Sequence, residues 1–203
     1  STALFPELVH QQENELWLRF VSGRALRTDE EMSTVLAFFA QLYAAQERSV
    51  ETGALADYAQ LDSDLRFLVE TGVLDPGTAR DLGALAPTLE PPRLHIGFDY
   101  IDPLPKNFVL SEHGVIGIDV EALQGGTPQG SGLAKLLLRW PSGTGSAAQV
   151  LASLAEQGCD LSEQFAWVQL HFLVHYTKQK VLQRKPRQVR PEALRDFLRS
   201  LPT

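Results

Sequence analysis

Residues 93–120 constrain this chain more than any other stretch. They interrupt a series of helical signals with β-branched and aromatic residues, Pro103, Pro105 and the tetrapeptide Ser111-Glu112-His113-Gly114. Apolar runs on either side of such a tetrapeptide, residues 108–110 and 115–118, predict two short strands joined as a hairpin. Asp102 and Asn107 lie just before the hairpin and Asp119 just after it. Reversal of the chain at the turn brings Asp119 back beside the loop that carries the other two, so three oxygen-bearing side chains converge.

Around this insert the periodicity is helical. Thr28-Asp29-Glu30-Glu31 has the Ser/Thr-x-x-Glu form of a helix start, and Met32, Val35, Leu36, Phe39, Leu42 and Tyr43 follow at spacings of three and four. Residues 57–71 predict a second helix. Asp75-Pro76-Gly77 reads as a turn or a helix start leading into 78–85, and Pro87, Pro91 and Pro92 close that region. Residues 124–132 and 142–146 are Gly-rich and polar, hence loops, with a short helix at 133–140 between them. Helices resume at 147–155, 163–183 and 191–198. Near the amino terminus, two apolar runs within 4–21 flank a polar stretch at 11–15 and predict a further hairpin, its second run (16–21) the better strand, broken by Ser22-Gly23. The fold class is α+β, mainly helical.

Composition bounds the function. With 203 residues, 44% of them hydrophobic and 21% charged, the chain can bury a core as one domain or two small ones. Eighteen Lys and Arg against 25 Asp and Glu leave a net charge of -7, which argues against nucleic acid as a partner. Lys178, Lys180, Arg184, Lys185, Arg187 and Arg190 form a local basic run. A solvated helix end is its plainer reading, a partner surface at the carboxy-terminal helix the other. Every apolar stretch is broken before the ~18 residues a membrane span needs, and the lone Cys159 excludes an intramolecular disulfide, so the expected compartment is cytoplasmic. His171 and His175 stand four apart with no acid between them and read as core or surface histidines rather than metal ligands. Asp99, close to Asp102, either supports a metal or faces solvent. Ser1 at the first position and Met32 as the sole methionine lead to the expectation of a piece of a longer product.

Asp102-x-x-x-x-Asn107, a hydrophobic hairpin and Ile118-Asp119-x-Glu121 resemble the catalytic and metal-binding loops of the protein-kinase-like fold, in its aminoglycoside phosphotransferase, choline kinase and lipopolysaccharide-core kinase branch. Pro105 matches the proline of that motif, and residues 15–26 are similar to the strand, hinge and helix start joining the two lobes of such kinases. The resemblance spans about residues 4–140. It implies Asp102 as catalytic base, Asn107 and Asp119 as magnesium ligands, and Leu18, Phe20 and Leu110 as contacts to the adenine of ATP. It divides the chain into a remnant of the small-lobe sheet with the hinge (1–26) and a helical large lobe (27–203). The implied activity is Mg2+- and ATP-dependent phosphorylation of a hydroxyl on a small molecule or glycan; the alternative is a pseudokinase or interaction domain. The sequence departs from the pattern where Tyr100 replaces the usual His, Leu104 a phosphate-directed Lys, Val120 an aromatic, and Gly132 the acid ahead of a Leu-Ala pair. It shows no Gly-x-Gly-x-x-Gly loop and no strand lysine before the hinge, and that clamp is expected to lie outside this chain.

Overall fold

The structure, a computed structural model, describes residues 3–13, 15–26, 32–52, 60–140 and 146–201. The predicted cap at Thr28-Asp29-Glu30-Glu31, the first residues of the 57–71 helix, most of the 142–146 loop and Ser1 lie outside them. Among the described residues the elements run β1 (Leu8–Gln12), β2 (Glu15–Leu18), β3 (Arg24–Ala25), α1 (Met32–Ala45), β4 (Glu47–Glu51), α2 (Leu61–Glu70), α3 (Pro76–Leu89), β5 (Arg93–Tyr100), β6 (Phe108–Ser111), β7 (Gly114–Gly117), β8 (Leu123–Pro128), α4 (Ser131–Arg139), α5 (Ala147–Glu156), α6 (Phe165–Leu182) and α7 (Pro191–Ser200). This is an α+β chain with small sheets, ordered β1-β2, β3-β6-β7 and β4-β5-β8. No described helix is long and apolar enough to cross a membrane.

Two compact units share the chain: residues 1–48 with 96–161, and 49–95 with 162–203. In the first, α1 buries more than the single stripe expected, because Phe38 and Ala40 are enclosed along with Val35, Leu36, Phe39, Leu42 and Tyr43. Phe38 is the hub of an aromatic cluster, with ring centroids 5.3 Å from Phe108, 5.5 Å from Phe5 and 5.6 Å from Tyr100. These are the edge-on distances at which ring quadrupoles attract. Strands β6 and β7 pair antiparallel with Phe108 opposite Gly117 and Ser111 opposite Gly114, the hairpin expected from the sequence. In the second unit α6 packs with α2, α3 and α7, burying Phe165, Trp167, Val168, Leu170, Leu173, Val174 and Tyr176. There the side-chain amide of Gln164 accepts from the His95 N–H at 2.7 Å and donates to its carbonyl at 3.3 Å, holding the start of β5 like one more strand.

Two expectations about local structure are corrected, and one strand has no counterpart in the sequence reading. Residues 124–128 are not a loop but belong to β8, which pairs antiparallel with β5, Gly97 facing Thr127 and Asp99 facing Gln124. The register slips between those pairs, and Gly126 adopts φ 72°, a backbone state glycine enters without penalty, so the glycines that suggested a loop make a bulge. Pro87 does not close a helix but lies inside α3, which begins where Asp75 accepts from the Thr78 N–H at 2.8 Å. Strand β4, Glu47 to Glu51, gave no signal, since four of its five residues are exposed and its side chains show no apolar alternation.

The meeting of α1 with β5 and β8 is tight. Gln129, almost fully buried, donates to the carbonyl of Tyr43 at 3.0 Å at the open carboxy-terminal end of α1. A Cβ on Gly97 would lie 1.8 Å from the Gln46 carbonyl oxygen and 2.7 Å from the Gln129 amide nitrogen. Gly97→Ala is therefore expected to cost about 2–3 kcal/mol or more, since backbone must move. Gly126→Ala meets open space and pays only for its positive φ, about 1 kcal/mol. Urea denaturation of the two variants measures that difference, and equal losses would show that the close approach at Gly97 is not rigid.

Candidate functional site

The loop that bears Asp102 and Asn107 leaves the end of β5 and makes a short 3-10 turn at Pro105–Asn107, which Pro105 favours by fixing its first φ. Asn107 is 6% exposed, and its side-chain N–H group donates to the Asp102 carbonyl at 2.8 Å, to Asp102 Oδ2 at 3.0 Å and to Asp119 Oδ2 at 3.3 Å. The structure thus brings Asp102, Asn107 and Asp119 together, with the amide nitrogen between two carboxylates. Commitment of that nitrogen leaves the amide carbonyl oxygen of Asn107 and the second oxygen of Asp119 for a hard cation.

Tyr100 holds the two halves of this arrangement. Its hydroxyl donates to the Asn107 carbonyl at 3.2 Å and accepts from the Asp119 N–H at 3.2 Å, while Ile118 N–H also donates to that carbonyl at 2.9 Å. The ring is fully buried against Phe38, Phe5 and Phe108, and burial drives the phenol well above its ordinary pKa, so it remains a proton-bearing donor. Tyr100 is therefore the tie between the 102–107 loop and the strand end carrying Asp119.

Asp99 neither supports a metal nor faces solvent. It is fully buried, and its carboxylate accepts from the Tyr43 hydroxyl at 3.0 Å, Tyr100 N–H at 2.8 Å, Gly130 N–H at 3.2 Å and Gly132 N–H at 3.0 Å. Two of those donors open α4, so the acid both satisfies orphan amides and sits at the positive end of the helix. A Cβ on Gly132 would lie 2.3 Å from the Tyr100 carbonyl and 2.6 Å from Asp99 Oδ1. The space that an acidic side chain on Gly132 would need is filled by an acid from β5. Lys135, one turn into α4, forms an ion pair with Asp102 Oδ1; their side chains are 19% and 28% exposed.

The remaining residues singled out by sequence are placed as follows. Leu18 ends β2 opposite Leu8, Phe20 is 88% exposed in the following segment, and Leu110 lies in β6 opposite Arg24 of β3. Leu18 and Leu110 flank the two ends of the 19–23 segment and Phe20 lies within it; Gly23 presses so closely on β6 that a Cβ would lie 2.4 Å from the Leu110 carbonyl. In the second unit His175 and Lys178 are partners of buried Asp64, at 3.3 Å and 2.5 Å. His171 stacks on Trp167 at 4.3 Å, and burial lowers its pKa to about 4, keeping it neutral. Lys180 lies 4.8 Å from the Tyr176 ring centroid. Two members of the basic run are thus engaged within the fold, while Arg184, Lys185 and Arg187 are exposed. Burial raises the Cys159 thiol to about 11, the opposite of a reactive thiolate.

No described trio of His, Cys, Asp or Glu is spaced to hold a metal by itself. Magnesium is commonly held by one or two protein oxygens, water and substrate phosphates, and the Asp119 and Asn107 oxygens fit that sparser donor set. No protein-family model and no curated protein matches the sequence.

Sequence reasoning missed Lys135 and the capping role of Asp99. For Asp99 a signal was present: an acid inside the mostly buried run Leu94 to Tyr100 must find donors. Lys135 had none, since a lysine inside α4 reads as a solvated position.

Burial pushes the Asp99 carboxyl up to about 6, with the four donors working against that rise. The folded state therefore holds this proton more tightly than the unfolded chain, whose carboxyl titrates near 3.8. The resulting stabilisation is fully present below about pH 4 and is lost as pH climbs through about 6. Asp99→Asn turns an NH2 toward donors and is expected to cost about 2–4 kcal/mol. Because Asn does not titrate, the wild-type advantage in thermal melts should be largest near pH 4 and shrink toward pH 7. An advantage that grows with pH would mean that the four donors outweigh burial.

Proposed function

We propose that this chain carries the catalytic loop, the magnesium-binding loop and the hinge of a kinase-like phosphotransferase that moves the γ-phosphate of ATP to a hydroxyl of a small molecule or glycan. One observation supports this reading above the rest: Asn107 reaches Asp102 and Asp119 at once through a single side-chain nitrogen, leaving its own carbonyl oxygen to a cation. Two acids are thereby held side by side by one shared amide donor.

In this reading Asp102 receives the proton of the acceptor hydroxyl as its oxygen bonds to the γ-phosphorus, while the bond to the bridging oxygen breaks and ADP leaves with the electron pair. Asp119 and Asn107 would supply the protein oxygens of a magnesium ion, whose positive charge would offset the negative charge of the phosphates and the leaving oxygen. Tyr100 fixes the distance between the loops, so that base and metal ligands keep one geometry. The segment 19–23, bounded by Leu18 and Leu110, is the backbone on which adenine docks, with Phe20 beside it. The pattern Asp119-x-Glu121 favours a small-molecule or sugar acceptor over a protein.

The test contrasts two variants. Asp119→Ala is expected to weaken Mg-nucleotide binding by about tenfold or more, because a charged oxygen leaves a hard cation. Asp102→Asn should leave that affinity within a few-fold while lowering phosphate transfer about 10²–10⁴-fold. Titration calorimetry reads the first quantity, and transfer of labelled phosphate to water or to sugar and amino-alcohol acceptors reads the second. Because the sequence shows no Gly-rich loop and no strand lysine before the hinge, wild-type affinity and turnover of this chain are expected to be low, and a complete absence of Mg-nucleotide binding at high nucleotide concentration would return the fold to the interaction-domain alternative.

A further inference from the structure

We infer that Lys135 is a phosphate-binding residue of this site, held in waiting by Asp102 until a triphosphate arrives. The inference rests on the phosphotransferase reading and adds to it a residue that no motif pointed to. Three observations support it.

First, the pair is half-buried rather than a surface contact, with Lys135 at 19% and Asp102 at 28% side-chain exposure. A lysine drawn in this far gives up hydration and so seeks an anion, and it has found the one carboxylate assigned to the chemistry. Second, its position is built in rather than incidental. Asp99 pins the first turn of α4 through the Gly130 and Gly132 amides, and Gly132 lies against the Tyr100 carbonyl. A residue three positions after Gly132 shares its helix face, which faces the loop two residues past Tyr100. Lys135 and Asp102 are brought into register by the same buried acid. Third, the carboxylate is crowded: Oδ1 faces Lys135 and Oδ2 accepts from Asn107. A base must release at least one oxygen to accept a proton from a hydroxyl.

Those facts describe a cation that must move for the site to work, and an incoming γ-phosphate is the stronger anion beside it. Lys135 then leaves Oδ1, pairs with a phosphoryl oxygen, and frees the carboxylate at the moment a hydroxyl is delivered. It also offsets the repulsion between the Asp102 carboxylate and the phosphates. Leu104, on the same loop, offers no charge for this purpose.

The experiment compares Mg-ATP with Mg-ADP as probes, by titration calorimetry on the full chain, with circular dichroism melts to verify folding. Lys135→Met should weaken Mg-ATP about tenfold or more while changing Mg-ADP less than about twofold, because only the γ-phosphate is lost between them. Lys135→Arg should restore most of the ATP preference. Equal weakening of both nucleotides, or of neither, would make Lys135 a structural partner of Asp102 and overturn the inference with the nucleotide site intact. A wild-type chain that binds neither nucleotide would overturn both readings together. Should Lys135→Met melt too low to titrate, the ATP-to-ADP affinity ratio of Lys135→Arg and Lys135→Gln decides: a ratio kept by Arg and lost by Gln supports the inference, and one kept by both overturns it.

Discussion

A single buried carboxylate organises the first unit. Asp99 has no access to water, so its charge must be met by donors, and the four it has come from three separate elements: Tyr43 at the end of α1, Tyr100 in its own strand, and Gly130 and Gly132 at the start of α4. Hydrogen bonds to an ionised group are each worth about 1.5–3 kcal/mol, and losing one strands the rest in a medium that cannot hydrate them. The elements are therefore not free to slide. Where α4 begins, how closely Gly132 approaches β5, and which residues of α4 overlook the Asp102 loop all follow from satisfying this one group.

The aromatic cluster complements it. Phe38, Phe5, Phe108 and Tyr100 form a closely packed set in which only Tyr100 carries a polar atom, and that atom lies at the boundary with the site. The apolar rings supply cohesion without direction, and the one hydroxyl supplies direction. A phenol at this position reaches two backbone groups belonging to different loops, one through its proton and one through its lone pair. A residue with a donor alone would leave the Asp119 amide without its acceptor, so the phenol orders both the Asn107 and the Asp119 segments.

Much of this was legible in the residues. Helical periodicity in α1, the Pro-bounded loop and the hairpin turn at residues 111–114 each rest on local physics, and each element is found. What stayed hidden depends on partners distant in sequence. Strand β8 read as a loop because Gly125 and Gly126 weaken any local preference, yet β5 supplies the ladder that makes it a strand. Pro87 read as a terminator, although tertiary packing carries α3 past it. Asp99 resembled many surface acids until its four donors were in view. Convergence of Asp102, Asn107 and Asp119 was readable because a hairpin is a local device; the arrival of Lys135 was not, because it needs α4 pinned by a residue 36 positions earlier in the chain.

Charge balance is what distinguishes the two acids. Asp102 and Asp119 are both within reach of one amide, and two carboxylates this close repel unless positive charge intervenes. Lys135 neutralises Asp102 alone. Among the described residues no ion pair forms at Asp119, so the site carries one compensated acid and one that still calls for positive charge. In the phosphotransferase reading proposed above, a divalent ion would go to the second and not the first, since displacing an ammonium already paired in a half-buried setting costs more than binding where repulsion is relieved. On that reading Asp102 would stay clear of the metal and would need only the Lys135 ammonium to leave before accepting a proton. The asymmetry comes from one lysine on one helix turn, which leaves two neighbouring acids in unlike electrostatic surroundings within one site.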